Sequence, residues 1–203
     1  MPSCSWKANA GGKTPVKVCG KDGTSTASET NRNACDGGSG FMCYWGIPWS
    51  VSDKVSYGFA AFNGASCGTC FQLDFTGQAD NNGDGVKGKS MIVQVINIGG
   101  LQSGQFDLLI PGGGVGAMNA CNANGNQWGN IDVGAQYGGL LQECNGDANC
   151  MKGKCTSVFG NMPAMLQGCN WFTGWFGSAN NPKVVYKQTS CPSEITSKSG
   201  ISG

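Results

Sequence analysis

Hydrophobic positions along this chain come in short runs of six to ten residues, bounded by glycine, asparagine or proline. The run "VSYGFAAF" (Val55 to Phe62) and "CFQLDF" (Cys70 to Phe75) are rich in aromatic and β-branched residues and predict strands. So do "SMIVQVINIG" (Ser90 to Gly99), "QFDLLI" (Gln105 to Ile110) and "KVVYKQ" (Lys183 to Gln188). Helical patterns are fewer: Val115 to Cys121, a piece around Leu140 to Cys144, and Pro163 to Trp171, where Pro163 suits a first helical position. The segments from Ala8 to Arg32 and from Asn122 to Tyr137 are long for irregular loops, so disulfides or function must order them. Neither repeats nor a linker interrupt the pattern. It predicts one mainly β domain over residues 1–203, a small barrel decorated by loops and short helices.

Composition changes this picture in three ways. Among 203 residues there are 35 glycines and only 12% charged residues, so turns are many and surface charge does not hold them. Twelve cysteines spread along the chain read as a disulfide framework made in an oxidising compartment. The absence of histidine excludes Ser-His-Asp hydrolysis, histidine-ligated metals and histidine bases, leaving carboxylates, amides and phenols for any proton transfer. A net charge of +1 offers no electrostatic funnel for nucleic acid or anionic lipid. No apolar run reaches the ~20 residues of a membrane helix. The opening "MPSCSWKANAGG" lacks a signal-type apolar core, so the chain reads as a mature or trimmed secreted form behind Met1.

Several motifs have both a chemical and a plain reading. "DNNGDG" (Asp80 to Gly85) copies the first half of a calcium loop, but its twelfth position is Met91 rather than a bidentate glutamate, which favours a hairpin turn. "CGTC" (Cys67 to Cys70) reads as two structural disulfides rather than a redox or zinc motif. Asp36, within "CDGGSGFMC", suits capping of backbone amides in a glycine turn. Trp49, Trp171 and Trp175 are expected to pack in the core, whereas Trp6 and Tyr137 lie in polar, glycine-rich surroundings and suit stacking on sugar rings. The sharpest feature is Asp107 inside "GQFDLLIPGGGVGAMNAC". Alternation puts Phe106 and Leu108 on one strand face and Asp107 with Leu109 on the other. A carboxylate in such an apolar run is either a bonded structural group or a catalytic acid. The glycines after Pro111, Gly113 and Gly114 among them, allow backbone to approach a ligand.

"PSCSW", "CDGG", "SYGFAA", "MIVQVINIGG", "FDLLIPGGGVG", "YGG", "GCNWFTGWF…ANNP" and "SCPSEI" together resemble family 45 glycoside hydrolases, from Pro2 to about Gly200. The resemblance implies a six-stranded double-psi β-barrel and a secreted, monomeric, inverting endo-β-1,4-glucanase acting on β-glucan without a cofactor. Inversion needs a general acid and a general base about 6.5 to 9.5 Å apart. By motif match Asp107 is the acid, its pKa expected to be raised by partial burial. The family's base lies in a "YWDCC" segment ahead of "PSCSW", outside this chain. Asp132 is a substitute carboxylate, and Asn97, at the end of "VQVIN", a positioning amide facing the site with Gly113 and Gly114. The family's "HFD" is here "QFD", with Gln105 for histidine, and the loop Leu101 to Gly104 carries no acidic residue. Family-like pairs are Cys4 with Cys67, Cys19 with Cys43, Cys70 with Cys191 and Cys144 with Cys169; Cys150 with Cys155 would close a local loop. Cys35 and Cys121 remain as orphans whose family partners belong to "YWDCC", which points to a missing segment. The same barrel occurs in expansins, so a non-hydrolytic glucan-binding protein is the rival, ahead of a purely structural disulfide module.

Overall fold

The computed structural model describes residues 1–27, 32–34, 37–117 and 131–203. Its strands are β1 (Val18–Cys19), β2 (Thr26–Ala27), β3 (Trp49–Ser50), β4 (Val55–Phe62), β5 (Cys70–Phe75), β6 (Ser90–Asn97), β7 (Phe106–Leu108) and β8 (Val184–Thr189). Its α-helices are α1 (Gly139–Glu143), α2 (Ala148–Phe159), α3 (Pro163–Thr173) and α4 (Ser193–Ser199). Strands β1 and β2 form a separate hairpin. The main sheet runs β3-β4-β6-β5-β8, with β7 also on β4, so β3 and β7 share one edge of β4 and β6 takes the other. The β4–β6 pair is parallel and the rest are antiparallel.

Alternation divides the sheet into two apolar faces. Ala60, Phe62, Phe71, Leu73, Phe75, Met91, Val93 and Val95 point to one side, into a core closed by residues of α1, α2 and α3. Phe59, Cys70 and Ile96 point to the other, under Cys4, Ala10 and Val16 from the N-terminal segment and Ile195 of α4. The sheet is strongly curled. Strands β7 and β8 lie at opposite ends of the strand order, which in a flat sheet would separate them by roughly 19 Å. Yet the Phe106 and Tyr186 rings meet at 5.0 Å, with Phe62 and Phe71 packed beside them. Among the described residues no ladder joins β7 to β8, so the seam between them is bridged by rings rather than by backbone hydrogen bonds.

Helix α2 departs from expectation. The run "ANCMKGKCTSVF" carries Gly153 and two cysteines and suggested a short disulfide-closed loop, but it forms three turns of helix. The Asp147 side chain caps it by accepting from Cys150 N. Met151, Cys155 and Phe159, four apart, form its buried stripe. The helix also overturns two expected disulfides. Cys150 and Cys155, five residues apart, are separated by ~7.5 Å along a helix and lie well round from each other, out of bonding reach. Cys150, in the first turn, bonds back to Cys144 at the end of α1, and Cys155 bonds across to Cys169 of α3. The pairs Cys4–Cys67, Cys19–Cys43 and Cys70–Cys191 are as expected. Cys35, Asp36 and Cys121 lie outside the described residues, as does the part of the expected Val115 to Cys121 helix beyond Ala117. Val115 to Ala117 is not helical.

Candidate active site

Strand β7 is three residues long, and its alternation is as expected: Phe106 and Leu108 pack against the helix-side core, and Leu109 against the other. Asp107, however, is exposed, which corrects the expectation of a partly buried carboxylate. The face it occupies is uncovered at that point. Its recorded partner among the described residues is Gln105, whose Nε2 donates to Asp107 Oδ1 at 2.7 Å. Two residues apart on an extended chain, the side chains share a face.

Across β4, Ala61 pairs with Asp107 of β7 on one side and with Asn97 of β6 on the other. The irregularity between Ala60 and Ala61 brings Asn97, rather than Ile96, opposite Ala61. Directly paired residues project to the same face. Asp107 and Asn97 therefore stand in one row with the small Ala61 between them, their Cα atoms roughly 10 Å apart by two strand spacings. Asn97 Oδ1 accepts from Ser3 N at 2.8 Å, and Ser3 Oγ accepts from Ile98 N at 2.8 Å. These bonds fix the Ser3–Ser5 3-10 turn to the end of β6, and Trp6, 44% exposed, caps that turn.

The glycines after Pro111 also meet constraints within their own fold. Pro111 is buried on α3 where Gly168 stands, since a Cβ there would come within 2.5 Å of Pro111 Cγ. Gly114, at φ +104°, forms a bridge with Tyr137, and a Cβ on it would meet Gln136 O at 2.8 Å. Gln136 O accepts from Val115 N and Gly116 N, and Gly112 O accepts from Leu140 N. Residues 131–140 are thus laced to the loop that follows the acid-bearing strand. Tyr137, 65% exposed, rides on that lacing. Gly113 N closes a tight turn on Ile110 O at 3.1 Å. A cleft of about 370 Å³ opens here, lined by Asn97, Leu108, Leu109, Gly114, Tyr44 and Val133 among others. Asp107 stands just before its lining strand residues.

Asp132 is exposed, and its Oδ1 accepts from Gly134 N at 3.0 Å within its own turn. Its charge, with that of Glu143, which Lys154 Nζ contacts at 2.6 Å, raises the Lys154 pKa; the hydrogen bond to Glu143 is the main cause. No described hydrogen bond joins Asp132 to β7. The "DNNGDG" turn is structural: Asn82 Nδ2 donates to Gly146 O and Ser178 O, and Asn181 Nδ2 to Asp80 Oδ2. Cys67 and Cys70 enter separate disulfides. Trp171 is buried, donating to Ser56 Oγ, while Trp175 and Trp49 are half-buried against Trp171 and Phe59.

With this geometry in place, comparison with known proteins decides the family. The model of glycosyl hydrolase family 45 matches residues 1–202. The chain belongs to that family. It is 43% identical over 222 aligned residues to Endoglucanase B of Cellvibrio japonicus, covering 98% of this chain and 43% of that protein. It is 37% identical to an endoglucanase of Cryptopygus antarcticus, covering 98% of this chain and 82% of that one. The crystal structure of a cellulase from the same Antarctic springtail superposes with a TM-score of 0.80 at 34% identity, covering 99% of this chain and 90% of that chain. The chain spans less than half the length of the Cellvibrio relative. Within the family, what sequence reading missed is the service Gln105 renders to Asp107; the spacing of two on a strand was the available signal.

Proposed function

We propose that this family 45 chain is a secreted endo-β-1,4-glucanase that cleaves cellulose or a related β-glucan with inversion, Asp107 being the general acid. The observation that carries this reading is the row across β7, β4 and β6: an exposed carboxylate on a short strand, an amide in register beyond it, and only Ala61 between them. A glucan chain can lie over such a row, with Asp107 below the scissile oxygen and the Trp6 and Tyr137 rings stacking on glucosyl faces to either side. Asn97, with its Oδ1 already engaged by Ser3 N, is a positioning group; Gly114 lines the cleft, and Gly113, in the turn closed on Ile110 O, lets the backbone come close to a glucan there. The base role falls to Asp132, which lies on the segment laced to the Pro111–Gly114 turn. The curled sheet with a ring-bridged seam supports reading the fold as the family's double-psi barrel.

The mechanism follows from charge. Asp107 gives its proton to the departing glycosidic oxygen while a water attacks the anomeric carbon from the opposite face, leaving the new reducing end in the α configuration. Loss of a general acid costs about 10² to 10⁴ in rate. Asp107→Asn is expected to abolish release of reducing ends from carboxymethyl cellulose within that range while binding of insoluble cellulose persists. Proton NMR of early products should show the α anomer first. Unchanged hydrolysis in the variant would sink the assignment, and glucan binding without any hydrolysis by the unaltered chain would favour the expansin-like reading. Loss of more than 100-fold in Asp132→Asn supports it as the base, and retention of activity removes it from that role.

A further inference from the structure

An acid that must surrender a proton and take one back in every turnover needs a neighbour able to hold it in both states. The Asp107 carboxyl is exposed, and among the described residues a single side chain holds it, Gln105 through Nε2 at 2.7 Å. We infer that Gln105 is a positioning residue for the leaving-group proton, fixing the Asp107 rotamer in its charged and its neutral form alike; this rests on the reading of Asp107 as general acid.

The chemistry of a primary amide makes this possible. An amide presents a donor and an acceptor on one planar group. Toward the carboxylate it offers Nε2–H, as in this structure. Toward the carboxylic acid Nε2–H can go on donating to the carbonyl oxygen Oδ1, which leaves the O–H on Oδ2 free to face the leaving oxygen. No charge changes on the amide in either arrangement, so the pair needs no second titrating group. Anchorage is supplied by the strand. Phe106, between the two residues, stacks on Phe62 at 4.1 Å between ring centroids and packs against Phe71 and Tyr186. The backbone that carries both polar side chains is therefore pinned by its apolar neighbour on the opposite face. Solvent alone cannot do the same work, because an exposed aspartate with no partner samples several rotamers, and misplacement of a reacting group by ~1 Å can cost 100-fold in rate.

The test compares two substrates for one enzyme. Release of a natural sugar alkoxide from a glucan needs the acid, whereas 2,4-dinitrophenolate leaves a dinitrophenyl β-cellotrioside without protonation. Gln105→Met keeps the length of the side chain and removes its hydrogen-bonding groups. In this variant kcat on barley β-glucan is expected to fall about 10- to 100-fold at unchanged KM, with a far smaller loss on the dinitrophenyl substrate. Gln105→His, which restores a donor and an acceptor nitrogen, should recover most of the glucan rate. Equal losses on both substrates, or no loss on glucan, would overturn the inference. Asp107→Asn run alongside separates the two claims: if it loses neither substrate, the acid assignment itself fails, and if it loses glucan alone while Gln105→Met loses nothing, only the role of Gln105 fails. A readout independent of turnover is the χ1 of Asp107 from NMR side-chain couplings, expected as one rotamer in the unaltered protein and averaged in Gln105→Met. Identical couplings in both would also overturn the proposal.

Discussion

At the scale of single residues, electrostatics leaves a clear mark at Asp22. Its carboxylate accepts from the Ser25 hydroxyl and from the backbone N–H groups of Thr24 and Ser25, at 2.9 and 2.8 Å for the latter two. The Ser25 hydroxyl is the leading cause that lowers its pKa from 3.8 to about 2. Because the folded value lies below the ordinary one, the stabilisation is fully present above about pH 3.8 and is lost as pH falls through about 2. Asp22→Asn is therefore expected to melt below the unaltered protein at pH 7 and to converge with it near pH 2; a constant difference across that range would show that the loop senses something other than this charge. The same scale shows what a sequence can hide about Asp107. Alternation correctly assigned its face, since period two is a property of the strand itself. Exposure depends on whether another segment covers that face, and nothing within "QFDLLI" reports on that.

Elements were legible where their hydrophobic pattern was local. Strands β4 and β5 coincide with their sequence runs because aromatic and β-branched residues fill them from turn to turn. Helix α2 was not legible, because Gly153, Lys152 and Lys154 dilute its apolar stripe to Met151, Cys155 and Phe159. The cysteine spacing then invited a loop. Helix formation decides the disulfides rather than the reverse: Cys155 faces the core with its two stripe neighbours and meets Cys169, while Cys150 stays exposed at the capped end. This ordering makes the stripe the sensitive part. Phe159→Ala, at a fully buried position, is expected to cost about 3 to 5 kcal/mol in denaturant unfolding. Removing the Cys144–Cys150 bridge, which closes a separation of only 6 residues, should cost about 2 kcal/mol. If the bridge proved the more damaging loss, α2 would owe its place to the disulfide and not to packing.

Across the whole molecule a barrel was expected from the strands, but the residues that close the curl were not legible in the chain, because they meet in contacts between its first and last strands. The C-terminal tail has a similar long-range character. Strand β8 and α4 are tied to the sheet by Cys70–Cys191, across a separation of 121 residues. Beside that bond lies the buried Gln94, whose Nε2 donates to Gly68 O at 3.1 Å and to Ile201 O at 3.0 Å. Its Oε1 accepts from Ser199 Oγ at 2.6 Å, so this polar side chain is paired at both ends. A crosslink stabilises by restricting the unfolded chain, and the effect grows slowly with the length enclosed. Replacing Cys70 and Cys191 together by alanine should therefore cost about 4 to 5 kcal/mol, roughly twice the loss of the Cys144–Cys150 bridge. Because the row of Ala61, Asn97 and Asp107 is built on β4, β6 and β7, and the tail packs on β5 and β6, glucanase activity at low temperature should survive the change while the unfolding midpoint drops. Loss of activity in a variant that remains folded at that temperature would mean that the tail holds the register of β6, and with it the distance between Asn97 and Asp107.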